Sequence, residues 1–339
     1  MKKIPLVCIT ALAGLALFGC SGSGNKQQGN SGRSADSERI YKLKMSTQLN
    51  ESHPMVDSFK TWAKNVGERS GGKIEITVFA SAQLGSDEDV IEQALQGVNV
   101  AVLTDGGRMA NYAKDIGIIG MPYVTDNYEE LRKLTETPTF AKYDQELINN
   151  GIRMLSYTWY DGPRHFLTNT PVTAPGDLKG LRIRTPGAPV WVKSCEALGG
   201  TPIAMGWNDV YNAVQSKSID GCEGQNTATY SSRLYEVVKY LNKTRHFQHA
   251  NFIMVGEKWY SKLPAEYQQI LMEECDKASY ENAKIVQQAA EEYEKIMVEK
   301  GMEIVEPDIE AFKVAAEKAY ADLNFLDLRN QIWGEMGKQ

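Results

Sequence analysis

Residues 177–224 read DLKGLRIRTPGAPVWVKSCEALGGTPIAMGWNDVYNAVQSKSIDGCEG. The segment Leu181 to Arg184 has the look of a strand, and Pro189 to Leu198 reads as a helix behind a proline start. A short extended piece at Pro202 to Met205, a helix over Asn208 to Ser216 and a strand at Ile219 to Cys222 follow. Strand and helix alternating through short links predict a parallel sheet covered by helices on both faces, an α/β fold.

Upstream, the same scheme stands alone. Tyr41, Leu43 and Met45 alternate as a strand, and Met55, Phe59, Trp62, Ala63 and Val66 fall on one helix face closed by Gly71-Gly72. A strand from Ile74 to Phe79, a helix from Asp87 to Gln96 and a strand from Val98 to Leu103 complete it. A faint echo links the halves: Ala94-Leu95-Gln96 stands six residues before Val100, as Ala213-Val214-Gln215 stands six before Ile219. Two similar lobes are expected, in keeping with 339 residues of which 42% are hydrophobic. Downstream, Pro264 to Lys300 reads as one helix or a pair, and thirty-odd residues at about 1.5 Å each reach roughly 50 Å, enough to span both lobes.

The N-terminus is set aside from the fold. Lys2 and Lys3 precede an uncharged apolar run from Ile4 to Phe18, too short for a transmembrane helix, as in a signal peptide. Leu17-Phe18-Gly19-Cys20 resembles a bacterial lipobox, with Phe18 bulkier than the usual residue there, which makes Cys20 the expected lipidated residue. Residues 1–19 are then a lipoprotein signal peptide, and 20–39, rich in Gly, Ser, Asn and Gln, a flexible tether. Of the other cysteines, Cys195, Cys222 and Cys275 form an odd, widely spaced set and are expected as buried thiols.

Composition and motifs narrow the chemistry. With 37 Lys plus Arg against 43 Asp plus Glu, nucleic acid is not expected as a partner. No phosphate-binding glycine loop, zinc motif or nucleophile elbow is present, so neither a catalytic residue, a metal site nor a cofactor is expected. His246 and His249 read as packed or surface residues, and Glu273-Glu274 and Glu291-Glu292 as solvated helix faces. Two arginines stand out: Arg164 in YTWYDGPRHFLTN and Arg184 in the GLRIRTPG strand. A guanidinium in an aromatic setting is costly to bury without an anion, and its planar fork fits a carboxylate. The residues alone equally allow an internal ion pair or a loop cap for each.

The stretch LKGLRIRTPG followed by EALGGTPIAMGWNDVYNAVQSKSIDGCEG, with FASAQLGSDEDVIEQALQGVNVAV upstream, resembles the DctP family, the solute-binding proteins of tripartite ATP-independent periplasmic (TRAP) transporters. The resemblance covers essentially the whole mature chain. It implies a two-lobed periplasmic clamp whose lobes are linked by crossing strands and a long C-terminal helix, with lobe I at 40–161 and 250–289 and lobe II at 162–249 and 290–339. Arg184 then holds the position that salt-bridges the ligand carboxylate, Arg164 the position that assists it, and Trp207 that of the aromatic packed on the ligand. Where the family often has Asn and Pro this chain has Gly224 and Gln225, so Gln225 or Asn226 is the expected substitute and extra room is expected at Gly224. Loops after first-lobe strands complete such a site, which nominates Glu51, Gln83 and Asp105; Trp159, Trp191 and Trp207 cluster around the same segments.

The implied ligand is a small organic acid: a sugar acid, a keto or aromatic acid, or a dicarboxylate. The implied partners are the small and large membrane subunits of a TRAP permease, at the periplasmic or cell-surface face of a bacterial membrane. A binding lipoprotein serving a chemoreceptor or an ABC permease, and a secreted α/β lipoprotein enzyme, are the alternatives.

Overall fold

Alternation along the strands splits the interior into cores on both faces of a single sheet. In the computed structural model, which describes residues 39–338, Val100 and Val102 enter one core with Phe252 and Met254, whereas Ala101 and Leu103 enter the other with Ile253 and Val255. Residues one apart on a strand point to opposite faces, so near-continuous apolar runs of this kind belong to strands covered on both sides. The signal peptide, Cys20 and all of the tether before Arg39 lie outside the described residues.

The strands are β1 (Tyr41–Ser46), β2 (Ile74–Phe79), β3 (Val100–Asp105), β4 (Ile152–Thr168), β5 (Arg182–Thr185), β6 (Thr201–Ala204), β7 (Gly221–Gly224), β8 (Tyr240–Gly256) and β9 (Glu303–Val305). The helices are α1 (Pro54–Arg69), α2 (Asp87–Leu95), α3 (Gly106–Met109), α4 (Tyr128–Thr135), α5 (Pro138–Asn149), α6 (Pro189–Ala197), α7 (Val210–Gln215), α8 (Asn226–Ser231), α9 (Glu257–Tyr260), α10 (Ala265–Glu299), α11 (Ile309–Leu323) and α12 (Leu326–Met336).

The sheet runs β2-β1-β3-β8-β4-β7-β5-β6, with β9 beside β8. Each end is parallel, as expected: β2-β1-β3 on one side and β7-β5-β6 on the other. The middle is not. β4 and β8, 17 residues each, are antiparallel to each other and pass from one half to the other. Their register shifts at four places between Met154 and Phe166, and Arg245 takes a φ of 48° where β8 bulges opposite Arg164 and Phe166. These crossing strands make Ile40–Gln339 one compact unit.

Helix α10 lies across both halves. Ile270, Leu271, Cys275 and Ala278 pack with Phe59 and Trp62 of α1 on the first half, and Met297 enters the second-half core with Leu241 and Val214. Each such large side chain, fully buried, contributes about 1.5–3 kcal/mol. The Glu273-Glu274 pair corrects the expectation of a solvated face, because Arg69 of α1 bridges both carboxylates and Glu274 is buried. At the C-terminus α11 lies against α6, while Tyr320, Phe325 and Ile332 join the core that holds Ile116 and Leu131 of the first half. Strand β7 starts two residues later than its apolar pattern suggests. Asp220 is tied first to Arg182, whose backbone N–H and guanidinium both donate to its carboxylate. Cys195, Cys222 and Cys275 are buried free thiols, and burial pushes that of Cys222 up to about 12.

Candidate functional site

The carboxyl ends of the parallel strands in both halves converge on a cavity of about 70 Å3, the place where open α/β sheets hold ligands. The end of β1 brings Thr47 and Gln48, the end of β3 brings Asp105, and Arg108 follows on α3. From the other half come Arg184 on β5, Trp207 in the turn before α7 and Gln225 after β7. The crossing strands supply Asp161, Arg164, His249 and Asn251.

Parity on β5 aims Arg184. Ile183 faces the core with Leu178 and Phe312, so Arg182 and Arg184 share the other face. Arg182 reaches Asp220 at the partly exposed end of the strand, whereas Arg184 is only 2% exposed. Its Nε donates to the Met205 carbonyl at 2.9 Å, and its guanidinium lies 5.3 Å from the Trp207 ring. Neither Nη atom has a hydrogen-bond partner among the described residues. Burial, helped by the neighbouring Arg164 charge, pushes this guanidinium down to about 10. A buried cation with two open Nη groups and a lowered proton affinity is a group that an anion can pair with.

Arg164 is built differently. Its Nε donates to Glu223 Oε2 at 3.1 Å, Nη1 to Gln225 Oε1 at 3.2 Å and Nη2 to the Glu223 carbonyl at 2.9 Å. Glu223 also accepts from the Thr185 hydroxyl and stands 3.2 Å from His246 Nε2. Burial alone would raise the Glu223 carboxyl; Arg164 and His246 overcome it and hold the group down at about 2. Arg164 is thus the internal ion pair, fixed 5.2 Å from the Trp191 ring at the cavity wall.

Four hydrogen bonds tie the two halves together beside the cavity. The Trp207 backbone N–H donates to Gln48 Oε1 at 3.1 Å, Asn50 Nδ2 donates to the Ser231 carbonyl and the Ser232 hydroxyl, and Trp191 Nε1 donates to Asp105 Oδ1 at 2.9 Å. Asp105 caps α3 and pairs with the Arg108 guanidinium; despite burial, Arg108 keeps its carboxyl below the usual range.

Of the residues nominated from sequence, the fold therefore brings Arg184, Arg164, Trp207, Gln225 and Asp105 together. It does not bring the others to the cavity. Glu51 is exposed and pairs with Lys60 at 2.7 Å, and Gln83 sits exposed in the turn after β2. Trp159 is buried against Phe59, with ring centroids 4.7 Å apart. Asn226 donates to Glu294 of α10 at 2.9 Å. Gly224 lies one layer behind the wall: a Cβ there would stand 3.2 Å from Trp207 Cη2 and 3.3 Å from Leu167 Cδ1, so the expected extra room is filled by the Trp207 ring. Its φ lies outside the left-handed region.

Sequence reasoning missed Gln48, Asp87, Thr104, Arg108, Asp161 and Asn251, and undervalued His249. Gln48 follows β1 as Asp105 ends β3, so the same strand-end argument applied to β1 finds it. Asp161 and His249 carry no such signal, because the irregular pairing of β4 with β8 decides where they point. His249 is half-buried at the wall, and burial, then Arg164, pushes it down to about 4, which keeps it neutral near pH 7.

A cleft between two lobes, floored by crossing strands and holding an open, buried guanidinium, is the architecture of a two-lobed solute-binding protein. The chain belongs to the DctP family, bacterial extracellular solute-binding protein family 7, which it matches over residues 45–325, and is a solute-binding protein of the TRAP type. It is similar to the sialic acid-binding periplasmic protein SiaP of Vibrio cholerae, 26% identical over 282 residues that cover 83% of this chain and 88% of that one. In structure it is similar to a TRAP periplasmic solute-binding protein from Ochrobacterium anthropi with bound L-fuconate, at 31% identity and TM-score 0.84, covering 88% of this chain and 99% of the other. A second such protein, from Actinobacillus succinogenes with bound L-galactonate, is 27% identical with TM-score 0.83 over 87% of this chain and 99% of its own. Among the described residues no helix is long and apolar enough to cross a membrane.

Proposed function

We propose that the protein captures a sugar acid between its lobes and hands it to the membrane subunits of a TRAP permease, without chemical change to the ligand. The observation that carries this reading is Arg184: a buried guanidinium in the cavity lining, with both Nη groups unbonded among the described residues, suits a carboxylate held through parallel hydrogen bonds. Arg164 supports the same end of the ligand from its fixed position, Trp207 supplies a ring to pack on it, and Gln225 and Asp105 complete the polar wall. The sugar-acid class follows from the relatives with bound L-fuconate and L-galactonate and from a cavity lined by both acceptors and donors.

Lobe I is assigned to 40–161 and 250–289 and lobe II to 162–249 and 290–339, amended so that the segment from Tyr320 onward, packed with Ile116 and Leu131, goes with lobe I. Closure of the lobes on the ligand is the population shift that signals loading. Cys20 is the lipid anchor at the head of the tether, residues 20–39, so that Cys20→Ala should abolish palmitate labelling of the protein.

Thermal-shift screening of the mature chain against aldonates, keto acids, aromatic acids and dicarboxylates tests the reading. A ligand at 100 times its Kd stabilises the folded form by about 2.7 kcal/mol. Sugar acids should raise the midpoint; a midpoint that no organic acid moves sinks the proposal.

A further inference from the structure

The first-half wall of the cavity differs in chemistry from the Arg184 wall opposite. Its one cation is Arg108, and three carboxylates surround it: Nε donates to Glu88 at 2.8 Å, Nη1 pairs with Asp105, and Nη2 lies 3.5 Å from Asp87. Asp87 and Asp105 both line the cavity and are both buried. Beside them Thr104, 1% exposed, lines the cavity with a hydroxyl that has no hydrogen-bond partner among the described residues.

We infer that this wall is a subsite for the hydroxyl end of a monocarboxylate and that it rejects a second carboxylate, so the protein discriminates aldonates from aldarates and other diacids. The inference rests on the carboxylate-capture reading of Arg184 and names what the far end of that ligand must be. A hydroxyl is both donor and acceptor: it donates a hydrogen bond to Asp87 or Asp105 and accepts one from the Thr104 hydroxyl. A carboxylate only accepts. Placed here it meets an excess of negative charge around an arginine already met by three acids, in a buried setting where like charges repel strongly.

The groups facing Asp87 are Arg108 and Asp105 from the end of β3 and from α3, Gln48 from the end of β1, and Glu88 on its own helix. Burial raises Asp87 to about 6, against the pull of Arg108. Asp105, Asp161 and Glu223 are held low and His249 is held near 4, so Asp87 is the cavity carboxyl whose charge changes between pH 7.5 and 5.5. Rejection of a diacid should therefore weaken in mild acid.

The test is calorimetric titration of the mature chain with L-galactonate and with galactarate, which differ only in a terminal hydroxymethyl or carboxylate. At pH 7.5 L-galactonate should bind about tenfold more tightly or better. At pH 5.5 the ratio should narrow through tighter galactarate binding, since both carboxyls of galactarate remain largely ionised there. Asp87→Asn should bind galactarate more tightly than the natural protein at pH 7.5 and lose the pH dependence of the ratio. Thr104→Val, which keeps the charge pattern, should weaken L-galactonate. Galactarate bound as tightly as L-galactonate at pH 7.5, or a ratio indifferent to both substitutions, overturns the inference while leaving carboxylate capture intact. Failure of either acid, and of every other carboxylate in the screen, to bind overturns the underlying reading and this inference with it.

Discussion

Arg164 and Arg184 stand twenty residues apart with the same guanidinium, and their surroundings give them different work. Arg164 spends its donors on Glu223 and Gln225, whereas Arg184 keeps both Nη groups for the cavity. Arg184→Lys keeps the charge and loses the fork, so carboxylate affinity should fall by about 1.5–3 kcal/mol, seen by calorimetry, with the melting temperature held. Unchanged affinity would make this arginine structural. Gly224→Asn is the second case. The new side chain meets Trp207 and Leu167 rather than ligand, so it should cost about 1–3 kcal/mol of stability and weaken small and large acids alike; selective loss of the larger acids would show that the space belongs to the ligand after all. Arg184 was legible from its short strand and from the family resemblance, because β5 parity is a local matter. Asp87 and Arg108 were not, since each resembles a solvated residue at a helix end until distant strands close over it.

Helix α2 shows how one element delivers a residue to the site at a cost to stability. Ser86 caps it, its hydroxyl accepting from the Asp89 N–H while Asp89 accepts from the Ser86 N–H, and this capping box fixes Asp87 in the first turn. The folded-state pKa of Asp87, about 6, lies above its ordinary 3.8, so the native state holds this proton more tightly than the unfolded chain. Its contribution is fully present below about pH 4 and is lost as pH rises through 6. Asp87→Asn mimics the protonated group and should raise stability at pH 7.5, by on the order of 3 kcal/mol at most, and change little at pH 4. Melting curves at the two values check this; an equal shift at both would point to packing instead. The β-α-β units were legible in the sequence because period two and period 3.6 are written within each segment. Crossing strands were implied by the resemblance, but the full span of β4 and β8 was not legible, since register shifts break their alternation, and helices α3, α4, α5, α8, α9, α11 and α12 lie outside the elements expected from sequence.

The molecule as a whole is closed across its cleft by Gln48, Asn50 and Asp105 of the first half, bonded to Trp207, Ser231, Ser232 and Trp191 of the second. None of these contacts requires a ligand. Each neutral hydrogen bond is worth about 0.5–1.5 kcal/mol net, so together they bias the lobes toward closure. The double variant Gln48→Ala, Asn50→Ala should show a larger ligand-free radius of gyration in X-ray scattering and about a three- to thirtyfold weaker affinity for the best acid. An unchanged radius with unchanged affinity would mean that these bonds do not govern the opening. The two-lobed architecture was legible from repeated sequence patterns and family resemblance; the bonds between lobes were not, because they join residues 86 to 182 positions apart.

The out-of-step pairing of β4 with β8 has a mechanical consequence. A ladder missing rungs flexes where the rungs are missing, and the irregular places between Met154 and Phe166 bracket Asp161 and Arg164 on the cavity floor. The irregular stretch of the frame is therefore also part of the cavity floor. A guest seated there would rest on both sides of that stretch, so the cavity and the irregular seam between the two longest strands are one place.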